Sequence, residues 1–336
     1  MDTDEKILVI QTAFIGDVVL ATSLIETLAA SGYQHIDMLV RKGNESLLKN
    51  NPHLTNVFVW DKKNDKIQNL LGLLKKIRKE RYHLVVNLHR FGSSGILTAF
   101  SGAKIRAGFN KNPFSFLFNH VVEHRIDSNG NQHETLRNHA LIQRFTNLQS
   151  PHKPKLYPSF EDFQRIEPYT HHPYVVIAPA SVWFTKQFPA SGWVQLMEEL
   201  PVGWKKIFIG GPEDQKLSAK IIFESSAENC INLSGQLSFL QSAALMQKAQ
   251  RCFVNDSAPQ HIASAVNAKT TAIFCSTVPE FGFGPLSDNS VVVQTKKPLS
   301  CRPCGLHGHA ECPEKHFDCA NSIDINDLII TIGKYS

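Results

Sequence analysis

Two rhythms of apolar and polar positions run along this chain. Residues 7–10, Ile-Leu-Val-Ile, are an unbroken apolar run of the kind that makes a buried parallel strand. After a short turn carrying Gly16 and Asp17, the residues Val18, Leu20, Ala21, Leu24, Ile25 and Leu28 recur at helical spacing. Further strands are expected at 36–40, 57–60, 84–88 and 104–107, with helical patterns at 65–80 and 132–147. Pro151, Pro154, Pro158 and Pro168, with little periodicity around them, then mark a linker. A second series follows: a strand at Tyr174–Ala178, a helix from about 190, a strand at 206–210, a helix near 213–225, and strands at 251–254 and 270–275. The last apolar segment, Ile323 to Ile332, reads as a helix packed near a hinge. Strand–helix alternation of this sort builds doubly wound parallel α/β sheets. The expectation is two Rossmann-like lobes facing across a cleft, over residues 1–165 and 166–322, with a tail at 323–336.

In an open α/β sheet, ligands bind beyond the carboxyl ends of the strands, so the turn after the first strand is a natural place for chemistry. Asp17 sits there, either as a helix N-cap or as a working carboxylate.

A chain of 336 residues, 42% hydrophobic and 19% charged, suits two lobes with large cores. No run spans a bilayer, and the start Met-Asp-Thr-Asp-Glu-Lys lacks signal-peptide character, so a cytoplasmic location is expected. The net charge of +5 is mild and compels no nucleic-acid partner. Positive charge is concentrated locally, at Lys62, Lys63, Lys66, Lys75, Lys76, Arg78, Lys79 and Arg81, around an inner face of leucines. Such a face is either simply solvated or a dock for an anionic membrane surface or phosphorylated lipid.

Neither half holds G-x-G-x-x-G or a Walker A sequence, and Gly16 and Gly32 are the only glycines before residue 43, which disfavours a nicotinamide or flavin dehydrogenase. The one D-x-D, Asp2-Thr3-Asp4, precedes the first strand, so no carboxylate pair for Mg²⁺ is evident and no cofactor is expected. A bound pyrophosphate would then have to be neutralised by protein groups. Candidates follow the strand 174–178, where Ser181 and Thr185 offer hydroxyls and Lys186 a full charge. More follow the strand 251–254. Ser257 reads as an N-cap and Pro259 suits a first helical turn, so a helix would aim its free N–H groups at a diphosphate. His261 in that turn either touches phosphate or is a packing histidine, and His89 and His133 pose the same choice. Asp256, repelled by phosphate, suits sugar hydroxyls or a cation.

Gly16-Asp17, Asn51-Pro52-His53, the stretch from Gly102 to Phe109, His133-Glu134, Trp183 to Pro189, Gly210-Gly211, and Asn255 to His261 occur in one order over most of the chain. Together they resemble glycosyltransferase family 9, the ADP-heptose:lipopolysaccharide heptosyltransferases of the two-lobed GT-B fold. The resemblance implies inverting transfer of a heptose from ADP-heptose to the lipopolysaccharide inner core (a lipid A-Kdo acceptor). The enzyme would work peripherally at the cytoplasmic face of the inner membrane. It implies a catalytic base at Asp17, a diphosphate-binding lysine at Lys186, a donor-binding aspartate at Asp256, a phosphate-binding hydroxyl at Ser181 and a ribose-binding carboxylate at Glu213. Arg90 and Arg106 fall in the acceptor lobe, where a cation suits an acidic sugar or phosphate. Ala258 stands where glycine is usual, and Val182-Trp183-Phe184 is less polar than the family's loop, so the transferred sugar is less well specified than the reaction. An epimerase acting on the nucleotide sugar, and a catalytically silent nucleotide or lipid binder, are the alternatives.

Of seven cysteines, Cys301, Cys304, Cys312 and Cys319 share one short segment. C-x-x-C followed by two more cysteines resembles a structural zinc site, but the second half lacks the tight repeat, so structural thiols in a loop remain the expectation and a metal is left open. Cys230, Cys252 and Cys275 read as core or near-core residues.

Overall fold

The computed structural model describes residues 4–126 and 132–333; Asp2 and Thr3 of the D-x-D lie outside them. It divides into two units, residues 4–126 with 132–157, and residues 158–333.

The first unit is built on a six-stranded sheet of order β3-β2-β1-β4-β5-β6, made of β1 (Ile7–Ile10), β2 (Ile36–Arg41), β3 (Leu54–Trp60), β4 (Leu84–Asn87), β5 (Ile105–Phe109) and β6 (His120–Val122). All neighbours pair in parallel, and Ile10 lies opposite Asn87. The helices are α1 (Ile15–Ala30), α2 (Lys66–Glu80), α3 (Gly92–Ala99) and α4 (Glu134–Ala140). On one face Leu8, Ile10, Leu39, Trp60 and Val85 pack against Leu73 and Ile77 of α2 and Leu97 of α3. Burying each such side chain stabilises by about 1.5–3 kcal/mol, which is why α2 forms despite its crowded cations. It ends at Arg81, whose left-handed backbone (φ 55°) breaks the helical run.

The second unit repeats the plan, with β7 (Tyr174–Ala178), β8 (Lys205–Phe208), β9 (Cys230–Asn232), β10 (Arg251–Asn255), β11 (Thr270–Phe274) and β12 (Ser290–Gln294) in the order β12-β11-β10-β7-β8-β9, again all parallel. Its helices are α5 (Phe160–Thr170), α6 (Ala190–Glu199), α7 (Gln215–Glu224), α8 (Phe239–Lys248), α9 (Ala258–Ala265), α10 (Asp318–Asn321) and α11 (Ile325–Ile329).

Part of the expected linker is a helix. Ser159 and Asp162 form a reciprocal capping box (Asp162 N–H to Ser159 Oγ 3.3 Å, Ser159 N–H to Asp162 Oδ2 2.9 Å), which starts α5 and carries it through Pro168. Because α5 packs on α8, the division between units falls at Tyr157/Pro158, ahead of the 165/166 division read from the sequence. The expected helix at 132–147 is the short α4 and a single 3₁₀ turn at Gln143–Phe145. Helix α3 was not expected, since the weak helix formers Gly92, Ser93, Ser94 and Gly95 open it. Nor were β6, β9, α8 and the edge strand β12. In the tail, Ile323 and Leu328 join the second unit's core and α11 packs on α6.

Candidate active site

Both sheets reverse their winding at the strand begun first, between β1 and β4 and between β7 and β10. Loops leaving the carboxyl ends of those pairs diverge in opposite directions and open a crevice, the place where open α/β sheets bind ligands.

In the first unit, Ile10 and Asn87 end side by side, so the turn Gln11–Phe14 and the segment Leu88–Phe91 leave together. Asp17 is not the N-cap. Phe14 holds that position, and Asp17, three residues in, accepts the Phe14 N–H at 3.2 Å on Oδ2. Its carboxylate is partly open to water but crowded by protein. Burial, then the negative charge of Glu134, push its pKa up to about 6, against the pull of the Phe14 and Asp17 N–H groups and the Arg90 cation. A carboxylate tuned this way is a far better proton acceptor near neutrality than an ordinary Asp at ~3.9. Glu134 is itself buried. Arg137 Nε donates to it at 2.7 Å and His124 Nε2 lies 3.4 Å away, so its carboxyl stays below the usual range although burial alone would raise it.

Around this turn the sheet edge is cationic. Arg90 follows β4, Arg41 ends β2 with its guanidinium 4.9 Å from the Phe14 ring centre, and Lys62 follows β3. Lys62 Nζ donates to the Thr12 carbonyl at 2.7 Å and lies 4.7 Å from the Trp60 ring centre. Burial, with Arg41 and Lys66 nearby, lowers its pKa to about 8. Thr12 Oγ1 and His89 Nδ1 are 3.1 Å apart, and burial plus Lys62 and Arg90 hold His89 near 4, a neutral ring at physiological pH.

In the second unit, Val254 lies opposite Ala178, and Asn255 ties the two departing loops together: its Nδ2 donates to the Pro179 carbonyl at 2.7 Å and its Oδ1 accepts the Phe188 N–H at 3.0 Å. This brings Lys186 to Asp256, with Nζ 2.6 Å from Oδ2, and Thr277 Oγ1 donates to the same oxygen at 2.6 Å. Ser257 stands at the N-cap position of α9, which carries Pro259 in its first turn, so the helix amide groups open beside this pair. Ser257 Oγ makes no capping bond; it faces the carbonyls of Ala180 and Asn255, each at 3.4 Å. His261 is buried in α9, and Ser181 is half-buried after β7. Glu213 is exposed on the 3₁₀ turn following β8, the next strand along.

Two expected site residues are engaged elsewhere. Thr185 is buried; its hydroxyl oxygen accepts the His309 N–H at 2.8 Å and the Ser276 O–H at 3.1 Å, so it is a strut beneath Lys186. Arg106 is the second residue of β5, at the amino end of the parallel sheet, the opposite edge from Asp17. Its guanidinium donates to the carbonyls of Leu117 (3.2 Å) and Ala103 (2.8 Å). Residues given no role from the sequence are Arg41, Thr277 and, although it opens a quoted motif, Asn255, each at or just past a strand's carboxyl end, the positional signal that would have found them.

Residues 70–316 match the family described as Glycosyltransferase family 9 (heptosyltransferase). The chain is 26% identical over 303 residues to lipopolysaccharide heptosyltransferase 3 of Escherichia coli, covering 83% of this chain and 85% of that protein. Among solved structures, a family 9 glycosyltransferase from Veillonella parvula superposes with a TM-score of 0.83 at 19% identity, over 98% of this chain and 97% of that one. The E. coli heptosyltransferase WaaC with ADP superposes at 0.73 with 16% identity, over 98% and 100%. The architecture is thus the GT-B fold expected from the sequence, and no described helix is long and apolar enough to cross a membrane. With the family match spanning most of its length, the chain belongs to glycosyltransferase family 9, the heptosyltransferases, and is a glycosyltransferase.

Proposed function

We propose that this glycosyltransferase moves a heptose, with inversion, from ADP-heptose to a hydroxyl of the lipid A-Kdo inner core in lipopolysaccharide core synthesis. The observation that carries the reading is Asp17, a carboxylate poised near pH 6 at the first sheet's switch point, with the Arg90 cation acting on it and Arg41 and Lys62 against the turn that precedes it. A base beside a cationic sheet edge suits an acceptor that is both a hydroxyl nucleophile and an anion. In the reaction, Asp17 takes the acceptor hydroxyl proton and the oxygen attacks the anomeric carbon. The bond from that carbon to the diphosphate breaks, with the electron pair leaving on ADP. Lys186 and the amide groups opening α9 stabilise the leaving diphosphate, while Asp256 holds Lys186 in place and faces the sugar. Ser181 and Glu213 are the remaining donor contacts, for phosphate and ribose. The adenine donor is supported by the ADP of the structurally similar WaaC.

Peripheral attachment to the inner membrane is supported by α2, where Ile67 and Leu71 are exposed (73% and 58%) beside Lys66, Lys75 and Lys79. The test is a panel of nucleotide sugars with purified protein and lipid A-Kdo in anionic vesicles, following ADP release, product mass and co-sedimentation. Transfer from another nucleotide sugar but not ADP-heptose would refute the donor. Epimerised donor without acceptor would refute the reaction, and protein left in the supernatant the attachment.

A further inference from the structure

Between β12 and α10 the chain runs through residues 295–317 without a helix or strand, and most of its side chains are exposed. Irregular segments of this length inside an ordered lobe need something to hold them. Part of the hold is visible. Arg302 donates to the carbonyls of Cys275 and Thr277, both at 2.7 Å, Cys304 N–H donates to the Ser276 carbonyl at 2.8 Å, and Thr185 and His309 exchange hydrogen bonds. These contacts fix one side of the loop. On the other, Cys301, Cys304, Cys312 and Cys319, all free thiols, line a single cavity with His316.

We propose that these four thiols bind one thiolate-preferring divalent cation of the zinc class, which ties the loop to the carboxyl edge of the second sheet. Four sulfurs on one cavity, two of them from a C-x-x-C pair, form the ligand set of a tetrahedral structural site. His316 supplies an outer contact. Its Nδ1 accepts the Asp318 N–H at 2.9 Å, which leaves the proton on Nε2, and Nε2 lies 3.8 Å from Cys301 Sγ, an N–H aimed at a sulfur that would carry charge. Among the described residues no three Cys, His, Asp or Glu groups already stand at ligand spacing, so binding swings the thiols inward from the cavity wall and releases their protons to solvent. The loop presses on the diphosphate-side lysine, since a Cβ on Gly308 would stand 2.9 Å from Thr185 Oγ1 and 3.0 Å from Lys186 Cγ.

The test needs no transfer assay and so stands apart from the proposed reaction. Full-length protein purified under reducing conditions is analysed for metal, stripped with a chelator and titrated with zinc and with cobalt(II). One ion per chain is expected, with the intense visible bands of tetrahedral cobalt–thiolate, protection of the loop thiols from a thiol reagent, and a higher melting temperature. Cys304→Ser and Cys312→Ser should each lose tight binding, while Cys230→Ser keeps it. No stoichiometric ion, a cobalt spectrum without thiolate bands, or binding retained in the Cys304→Ser/Cys312→Ser double variant would overturn the proposal. A disulfide between loop cysteines in the freshly reduced and repurified protein would do the same. The cobalt titration of the unaltered chain decides the matter even if the variants fail to fold.

Discussion

Replacing Asp17 by asparagine should stop glycosyl transfer and at the same time make the first unit more stable at neutral pH. Burial and Glu134 raise the carboxyl from 3.8 to about 6. Ionising it at pH 7 in the folded protein therefore costs about 3 kcal/mol relative to the unfolded chain. Partial exposure of the side chain to water brings the expected figure nearer to about 2 kcal/mol. Asparagine keeps an oxygen for the Phe14 N–H but carries no charge, so it avoids the cost. The sign follows from proton binding: the folded state holds this proton more tightly than the unfolded state. The wild type thus bears no penalty below about pH 4, loses stability as pH rises through 6, and stays at the full penalty above it. The variant minus wild-type difference should be near zero at pH 4 and reach roughly 4–8 °C in Tm at pH 7.5. Differential scanning calorimetry of both proteins from pH 4 to 8, read on the first unit's transition, measures it. A variant no more stable than wild type at pH 7.5, or a difference independent of pH, would refute the buried, charge-strained carboxylate on which the catalytic role rests.

The logarithm of kcat/KM should fall with decreasing pH below about 6, and because the Arg90 cation holds Asp17 down, Arg90→Gln should move that limb to higher pH; a limb that stays put would detach Arg90 from the base. Lys186→Ala should weaken ADP binding, measured by calorimetry, and destabilise the second unit by about 3–5 kcal/mol because Asp256 would remain buried with only Thr277. The Lys186→Ala/Asp256→Ala double variant should recover much of that stability in urea titrations without recovering ADP affinity. Gly308→Ala forces a side chain onto a left-handed backbone (φ 76°) and against the buried Thr185 hydroxyl, so it should lower ADP affinity with no contact to the ligand; unchanged affinity would show that the loop does not set Lys186.

Local pattern determined a great deal here. The apolar run 7–10, the turn with Asp17 and the helical spacing after it specified β1, its loop and α1. Repeated strand–helix alternation specified two parallel sheets, because buried strands and amphipathic helices leave signatures within ten or twenty residues. The ordered motifs named the family, and the roles of Asp17, Lys186 and Asp256 belong to the function proposed from it. What local pattern does not carry is strand order and which end of a strand a residue occupies. Arg106 reads like Arg90 in the sequence, yet it lies at the amino end of β5 while Arg90 follows β4, so parallel pairing puts them at opposite edges of one sheet. Thr185 reads like Ser181, but the return of the cysteine loop more than a hundred residues later takes up its hydroxyl. Lys186 meets Asp256, and Arg41 and Lys62 converge on the Asp17 turn, only because sheet pairing sets distant loops side by side. Those partners lie tens of residues apart, and only the tertiary structure could decide them.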